Sequence, residues 1–269
     1  MFENLLTKKL DIEFKELSNC YTFEIFDFLS DQQYEELEKN FPKMNAREAK
    51  KINNSFDDVN AQQKLKAYIS EVDKELFNNE ILSNPVLKDF VETLKSPLFA
   101  NFLMEKFYFK ILKSRILDIR NFTKLLTRKS RPYKKRKNYL EKFCFNEIYT
   151  TVEWAYMFNG SDSWPHTDGV KKILSLLLYF PDKILTENQI NNLGTTFFDS
   201  NEYNLNTSKI QNLSQANKFR EENKSFTLPF KKKSLFGFIK SHKSWHAVNK
   251  IEIDENFIRK NININLLLV

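Results

Sequence analysis

The sequence predicts an α+β fold in which an N-terminal helical layer packs on a core of antiparallel strands. Two observations carry this. Apolar residues recur at helical spacing through the first third of the chain, and from Phe143 onward they fall into short runs with period-two alternation. At 269 residues, 41% hydrophobic and with 26 phenylalanines, the chain can bury a substantial core, which excludes a wholly disordered polypeptide.

Taken in order, Phe23 to Phe28 alternates like a short strand. Ser30 suits an N-cap for a helix over Asp31–Asn40, which Pro42 ends. Leu65, Tyr68, Ile69, Val72, Leu76 and Phe77 recur at helical spacing and predict a second helix. Asn84-Pro85 opens a third, with proline in the first turn, and Pro97 opens a longer one through Phe102 and Phe109 toward Leu112. These aromatic stripes read as core. Residues 1–112 are therefore expected to form a helical support region. Residues 113–142 form a basic connecting segment, densest from Arg128 to Lys137, where Pro132 argues against a continuous helix. Residues 143–269 form the β core, and the whole makes one compact domain.

Candidate strands in that core are 143–158, 172–180, 195–199, 226–230, 234–240, 244–249 and 259–268. The last is the clearest. Arg259, Asn261, Asn263 and Asn265 alternate with Lys260, Ile262, Ile264 and Leu266, giving one polar and one largely apolar face. Residues 200–225 read as a polar insertion with a short helix near Gln215–Glu222.

Composition removes several function classes. With 4 glycines and no GxGxxG or Walker-type loop, the familiar nucleotide-binding enzymes are set aside. A formal charge of +7 fits nucleic acid, anionic lipid or acidic small substrates; the basic segment 128–137 reads first as solvated surface and only second as a nucleic-acid or acidic-substrate contact. Cys20 and Cys144 form no CxxC pair and point to a reducing compartment. MFENLLTKKL lacks the pattern of a secretory signal, and the longest apolar run, Ile173 to Phe180, is too short to span a bilayer. A cytoplasmic location is expected.

The chemistry concentrates on histidine, of which the chain has three: His166, His242 and His246. His166 lies in Trp164-Pro165-His166-Thr167-Asp168-Gly169, ahead of the apolar strand Ile173–Phe180. His246 lies in Ser244-Trp245-His246-Ala247-Val248, just before the final strand. Two imidazoles and one carboxylate can hold one face of a ferrous ion and leave the other open. His-x-Asp suits this because residues two apart in extended chain point the same way, while the distal histidine must come from a strand that folds back beside them. His242 competes with His246 for the distal place.

From about Thr151 to Val269 the chain resembles the 2-oxoglutarate/Fe(II)-dependent oxygenase superfamily, particularly its prolyl-hydroxylase-like branch, which carries His-x-Asp, a distal His and a basic residue on the next strand. The resemblance covers a little under half the chain. It implies a double-stranded β-helix (jelly-roll) core and Fe(II) held by His166, Asp168 and His246. It also implies 2-oxoglutarate as co-substrate with O2, and hydroxylation with release of succinate and CO2. Related halogenases lack the carboxylate, so Asp168 implies hydroxylation. Arg259 takes the place of the basic residue, since a guanidinium grips a carboxylate through two parallel hydrogen bonds. Tyr156, in a Tyr-x-x-Asn-Gly arrangement, and Tyr179, sharing a strand face with Ser175, are the candidate helpers. His246 to Arg259 is longer than the family's usual spacing and leaves a loop at Asn249–Asn256. Lys250 and Lys260 are alternatives to Arg259, although Lys260 should face the other way. The substrate stays open among a peptide, an amino acid, a sugar or lipid intermediate and a nucleobase. Two rivals stand beside this expectation: a different mononuclear metal enzyme of cupin type, and a basic nucleic-acid-binding protein with an inert β core.

Overall fold

The computed structural model describes residues 1–17, 20–44, 65–114, 130–131, 146–200, 202, 210 and 212–268. Apart from Ser130 and Arg131, the basic segment expected at 128–137 lies outside these residues, as does Cys144. Among the described residues no helix is long and apolar enough to cross a membrane.

The first strands are β1 (Asp11–Leu17) and β2 (Cys20–Phe26), followed by helix α1 (Asp31–Lys39) and strand β3 (Lys66–Ile69). Helices α2 (Lys74–Phe77), α3 (Pro85–Lys95) and α4 (Pro97–Ser114) come next, with a short π-helical turn at Asn78–Leu82 after α2. The strands of the C-terminal half are β4 (Ser130–Arg131), β5 (Asn146–Phe158), β6 (Ser163–His166) and β7 (Lys172–Tyr179), then β8 (Thr195–Asp199), β9 (Lys224–Leu228), β10 (Leu235–Ile239), β11 (Trp245–Val248) and β12 (Ile258–Leu268). Helix α5 (Glu187–Asn192) precedes β8, and α6 (Leu213–Glu222) precedes β9.

These strands form two sheets. The larger has eight strands, in the order β1-β2-β10-β7-β12-β5-β3 with β4 beside β5, and the smaller runs β6-β11-β8-β9. Pairings are antiparallel except the short β4–β5 contact. From β5 onward the chain crosses between the sheets at every step except from β8 to β9, which pair within the small sheet.

Parity decides what each face carries. On β12, Ile262, Ile264, Leu266 and Leu268 point to the outer face of the large sheet, where they join Phe90, Phe99 and Phe107 of α3 and α4 in the main core. Arg259, Asn261, Asn263 and Asn265 point to the inner face, toward the small sheet. A second apolar cluster, including Tyr179, Phe197, Phe236 and Phe257, fills part of the space between the sheets. The result is three layers, helices on large sheet on small sheet. Each fully buried phenylalanine contributes roughly 1.5–3 kcal/mol of transfer free energy.

Several local expectations are met. Ser30 caps α1 by accepting from the Gln33 amide at 3.2 Å, and the Gln33 side chain accepts from the Ser30 amide at 3.0 Å, a reciprocal capping box. The carboxamide of Asn84 accepts from the amides of Val86 and Leu87 to open α3. Gly160, at φ +83°, makes the turn between β5 and β6, a conformation that disfavours any side chain.

Other expectations are corrected. The apolar spacing from Leu65 to Phe77 does not build one helix. Lys66–Ile69 is a strand on the edge of the large sheet, with Ala67 and Ile69 buried toward the helices, and Val72 is fully exposed in the turn that follows. Residues 1–112 are therefore more than a helical layer, because β1, β2 and β3 extend both edges of the sheet built by the C-terminal half. Ser163–His166, read as a turn-rich approach, is a strand, and the strand expected at 226–230 begins at Lys224.

Candidate metal centre

His166 ends β6 and His246 is the second residue of β11. The two strands pair with His246 opposite His166, so both rings project side by side between the sheets, centroids 4.3 Å apart. Asp168 follows two residues after His166, just beyond the strand, and its Oδ2 lies 4.0 Å from His246 Nε2. One ligand atom from each of the three lies within 4.8 Å of the others. His242 is buried in the turn between β10 and β11 and stands outside this cluster.

Local backbone sets the tautomers. The Nδ1 of His166 donates to the carbonyl of Trp164 at 2.7 Å, and that of His246 donates to the carbonyl of Ser244 at 3.0 Å. A carbonyl only accepts, so each Nδ1 keeps the proton and each Nε2 keeps its lone pair. Burial, then the neighbouring His246, pushes His166 down to about 3, and burial lowers His246 as well. Both rings are neutral ligands at neutral pH. Burial alone would raise the Asp168 carboxyl. The Lys172 ammonium, 3.0 Å from Oδ1, with the two imidazoles, outweighs it and holds Asp168 below the usual carboxylate range. Phe197 and Phe238 pack against the His246 ring, at 5.7 and 4.7 Å, and keep that side dry.

The three residues form part of the wall of a cavity of about 270 Å³ between the sheets. Arg259 enters the same cavity from β12 and is buried. Its Nε donates to the Leu193 carbonyl at 2.6 Å and one terminal nitrogen to Asn261 Oδ1 at 2.6 Å; the other lies 3.4 Å from the Thr195 hydroxyl. The guanidinium also lies 5.0 Å from the ring centroid of Tyr179 and 5.3 Å from that of Phe230. Among the described residues no carboxylate forms an ion pair with it. A guanidinium stays charged at physiological pH, and burying a charge without a counterion is costly. The arrangement thus suits an incoming anion.

Tyr179 shares the inner face of β7 with Ser175 and lies beside Arg259, its hydroxyl 2.8 Å from that of Thr195. Tyr156 is brought nowhere near this group. It shares parity with Val152 and Trp154, points into the helical side of the large sheet, and donates its hydroxyl to the Pro42 carbonyl at 2.9 Å. Lys260 faces away from the cavity and pairs with Asp182 at 3.3 Å, and Lys250 pairs with Glu252 on the surface at 2.6 Å. Neither can replace Arg259.

Sequence reasoning missed the rest of the wall: Lys172, Glu153, Tyr68, Thr195 and the inward use of the asparagines. A signal existed. Each of Glu153, Ser175 and Asn261–Asn265 interrupts an otherwise apolar strand at alternate positions, which marks a polar surface facing inward rather than solvent. The Ser175 hydroxyl sits 3.1 Å from Asn265 Oδ1 and 3.4 Å from Asp168 Oδ2, and can donate to only one at a time.

No protein-family model and no curated protein matches the chain. Solved structures similar to it include the non-haem alpha ketoglutarate dependent epimerase SnoN from nogalamycin biosynthesis, at 10% identity and TM-score 0.44, covering 99% of this chain and 82% of that one. HygX from Streptomyces hygroscopicus, with nickel, 2-oxoglutarate and hygromycin B bound, matches at 8% identity and TM-score 0.41, over 93% and 84% of the two chains. A prolyl hydroxylase from Trichoplax adhaerens, in complex with a peptide fragment of the hypoxia inducible factor, matches at 16% identity and TM-score 0.30, over 45% and 46%. At these scores the likeness carries no weight for function, which has to be argued from the side chains of the site.

Proposed function

We propose that this chain is an Fe(II)- and 2-oxoglutarate-dependent oxygenase that hydroxylates a small substrate, with strands β5 to β12 as its double-stranded β-helix. The observation that carries the proposal is the pairing, in one cavity, of a two-histidine, one-carboxylate cluster with a buried arginine that has no carboxylate partner. A cupin-type hydrolytic site would need the first feature and not the second.

The donor set fits the metal. Two neutral imidazoles with free Nε2 lone pairs and one carboxylate suit Fe(II), and all three line one cavity where they would hold it. When bound, Fe(II) with 2-oxoglutarate and O2 supplies oxidising chemistry that hydroxylates a C–H bond and releases succinate and CO2. The chain's own residues do the rest. His166, Asp168 and His246 bind, and the Trp164 and Ser244 carbonyls orient the rings. Lys172 keeps Asp168 ionised. Arg259 receives the far carboxylate of 2-oxoglutarate, with the Thr195 and Tyr179 hydroxyls beside it, and Phe197 and Phe238 exclude water from the flank of His246.

The test is anaerobic. Adding Fe(II) and 2-oxoglutarate to the full-length protein should produce a weak visible charge-transfer band that His246→Ala and Asp168→Ala abolish. A metal-loaded wild-type sample without the band would refute the proposal.

A further inference from the structure

The charges in the cavity do not all find partners. Lys172 is held by Asp168 at 3.0 Å, and Arg259 is assigned above to the co-substrate. Glu153 remains. It lies on the inner face of β5 between the positions of Val152 and Trp154, whose side chains enter the opposite core, and it contributes to the cavity wall. Its only described hydrogen bond is a long one, 3.5 Å, from the Asn265 carboxamide, and no described ammonium or guanidinium pairs with it.

Its neighbours are arranged for recognition. Asn263 stands directly opposite Glu153 in the β12–β5 register. The Asn263 Oδ1 accepts from Asn261 at 2.6 Å, and Asn261 in turn accepts from Arg259, a relay that leaves the Asn263 amide nitrogen as a donor at the cavity. Ala155, next along the inner face, is small, and Tyr68 of β3 stands opposite it at the partly open edge, 44% exposed. A carboxylate, an amide donor and an aromatic face thus border one space beside the metal cluster. The carboxylate and the ring match a cation, through a charge-assisted hydrogen bond and an electron-rich face, while the amide donor suits a neutral acceptor on the same molecule, since an ammonium only donates.

We propose that the substrate carries a protonated amine and that Glu153, with the Tyr68 ring beside it, is the residue that selects for it. The inference rests on the oxygenase reading, since it takes the region beside the metal cluster as the substrate's. It runs against the protein's overall charge of +7, which by itself favours anionic partners. The net charge steers at long range, whereas selection is decided by the uncompensated group inside the cavity.

The test uses skeleton-matched probes that differ only in charge: glucosamine, glucose and glucuronate, and cyclohexylamine, cyclohexanol and cyclohexanecarboxylate. Full-length protein is first titrated anaerobically with Fe(II) and 2-oxoglutarate, and the visible band there tests the oxygenase reading separately. Each probe is then titrated calorimetrically into the loaded, oxygen-free protein. The amine of at least one set should bind roughly tenfold or more tighter than its neutral and acidic partners, as expected for a charge-assisted contact. Glu153→Gln should erase that ratio. If the band forms but the alcohol or the acid binds as well as the amine in both sets, or no probe binds, or the amine's advantage survives Glu153→Gln, the proposal falls while the oxygenase reading stands.

Discussion

Arg259→Leu is the substitution that most directly tests how the cavity works. The guanidinium is buried, already committed through Nε to the Leu193 carbonyl, and has no described carboxylate partner. If it receives the far carboxylate of 2-oxoglutarate through two charge-assisted hydrogen bonds, each contributes about 1.5–3 kcal/mol. Taking the lower figure for both gives about 3 kcal/mol, or roughly 150-fold in dissociation constant. Leucine keeps much of the packing against Tyr179 and Phe230, so the loss is one of charge. The assay is an anaerobic titration of Fe(II)-loaded protein with 2-oxoglutarate, followed by the visible band, with a thermal melt to verify folding. Arg259→Lys should fall between wild type and leucine, because it keeps the charge and loses the fork. Lys260→Ala, on the opposite strand face, should bind 2-oxoglutarate like the wild type. A leucine variant that binds within threefold of the wild type would show that the arginine is not the co-substrate's partner.

Two further outcomes follow from placement. Tyr156→Phe removes a buried hydroxyl bonded to the Pro42 carbonyl, far from the cavity. It should cost about 1 kcal/mol in chemical denaturation and leave the 2-oxoglutarate titration unchanged; a weakened titration would put Tyr156 back in the site. Lys66 is buried on the inner face of β3, and burial foremost, with Arg259 and Arg220 against the attraction of Asp162, lowers its pKa from 10.5 to about 8. Between those values Lys66 is protonated in the unfolded chain and neutral in the folded one, so its contribution to stability should rise as pH is raised from about 8 to 10.5 and be lower at neutral pH. The stability of wild type minus that of Lys66→Met should rise across that window, and parallel curves would contradict it.

The parts of the fold legible in the sequence are those where one period dominates. The β12 alternation is strict from Asn261 to Leu266, and the caps at Ser30 and Asn84 use side chains whose chemistry is local. What failed had two periods superimposed or none. Across Leu65–Phe77 the apolar residues of a strand, a turn and a short helix fall by accident at helical spacing, and only pairing with β5 separates them. Ser163–His166 is too short to show a period and contains Pro165; its strand state comes from His246 across the ladder. The two tyrosines make the same point for the site. Tyr156 and Tyr179 are equally good hydroxyl donors on paper. Tyr156 shares parity with Val152 and Trp154 and goes to the core, while Tyr179 shares parity with Ser175 and goes to the cavity.

The inner face of the large sheet is the strongest reason to regard the cavity as functional. A sandwich held together only for stability would fill the space between its sheets with apolar side chains, as the neighbouring cluster around Phe197 and Phe236 does. Here Arg259, Asn261 and Asn265 are almost wholly buried there, and Ser175 and Thr195 join them. Desolvating such groups costs free energy that hydrogen bonds among themselves only offset. The bonds present are a relay from Arg259 through Asn261 to Asn263 and, separately, a long contact from Asn265 to the Glu153 carboxylate. The buried guanidinium without a counterion is unfavourable in the empty protein, and Glu153 stands partly exposed in the same wall without a described cationic partner. A ligand carrying the opposite charges would satisfy both, and the metal cluster lines the same cavity.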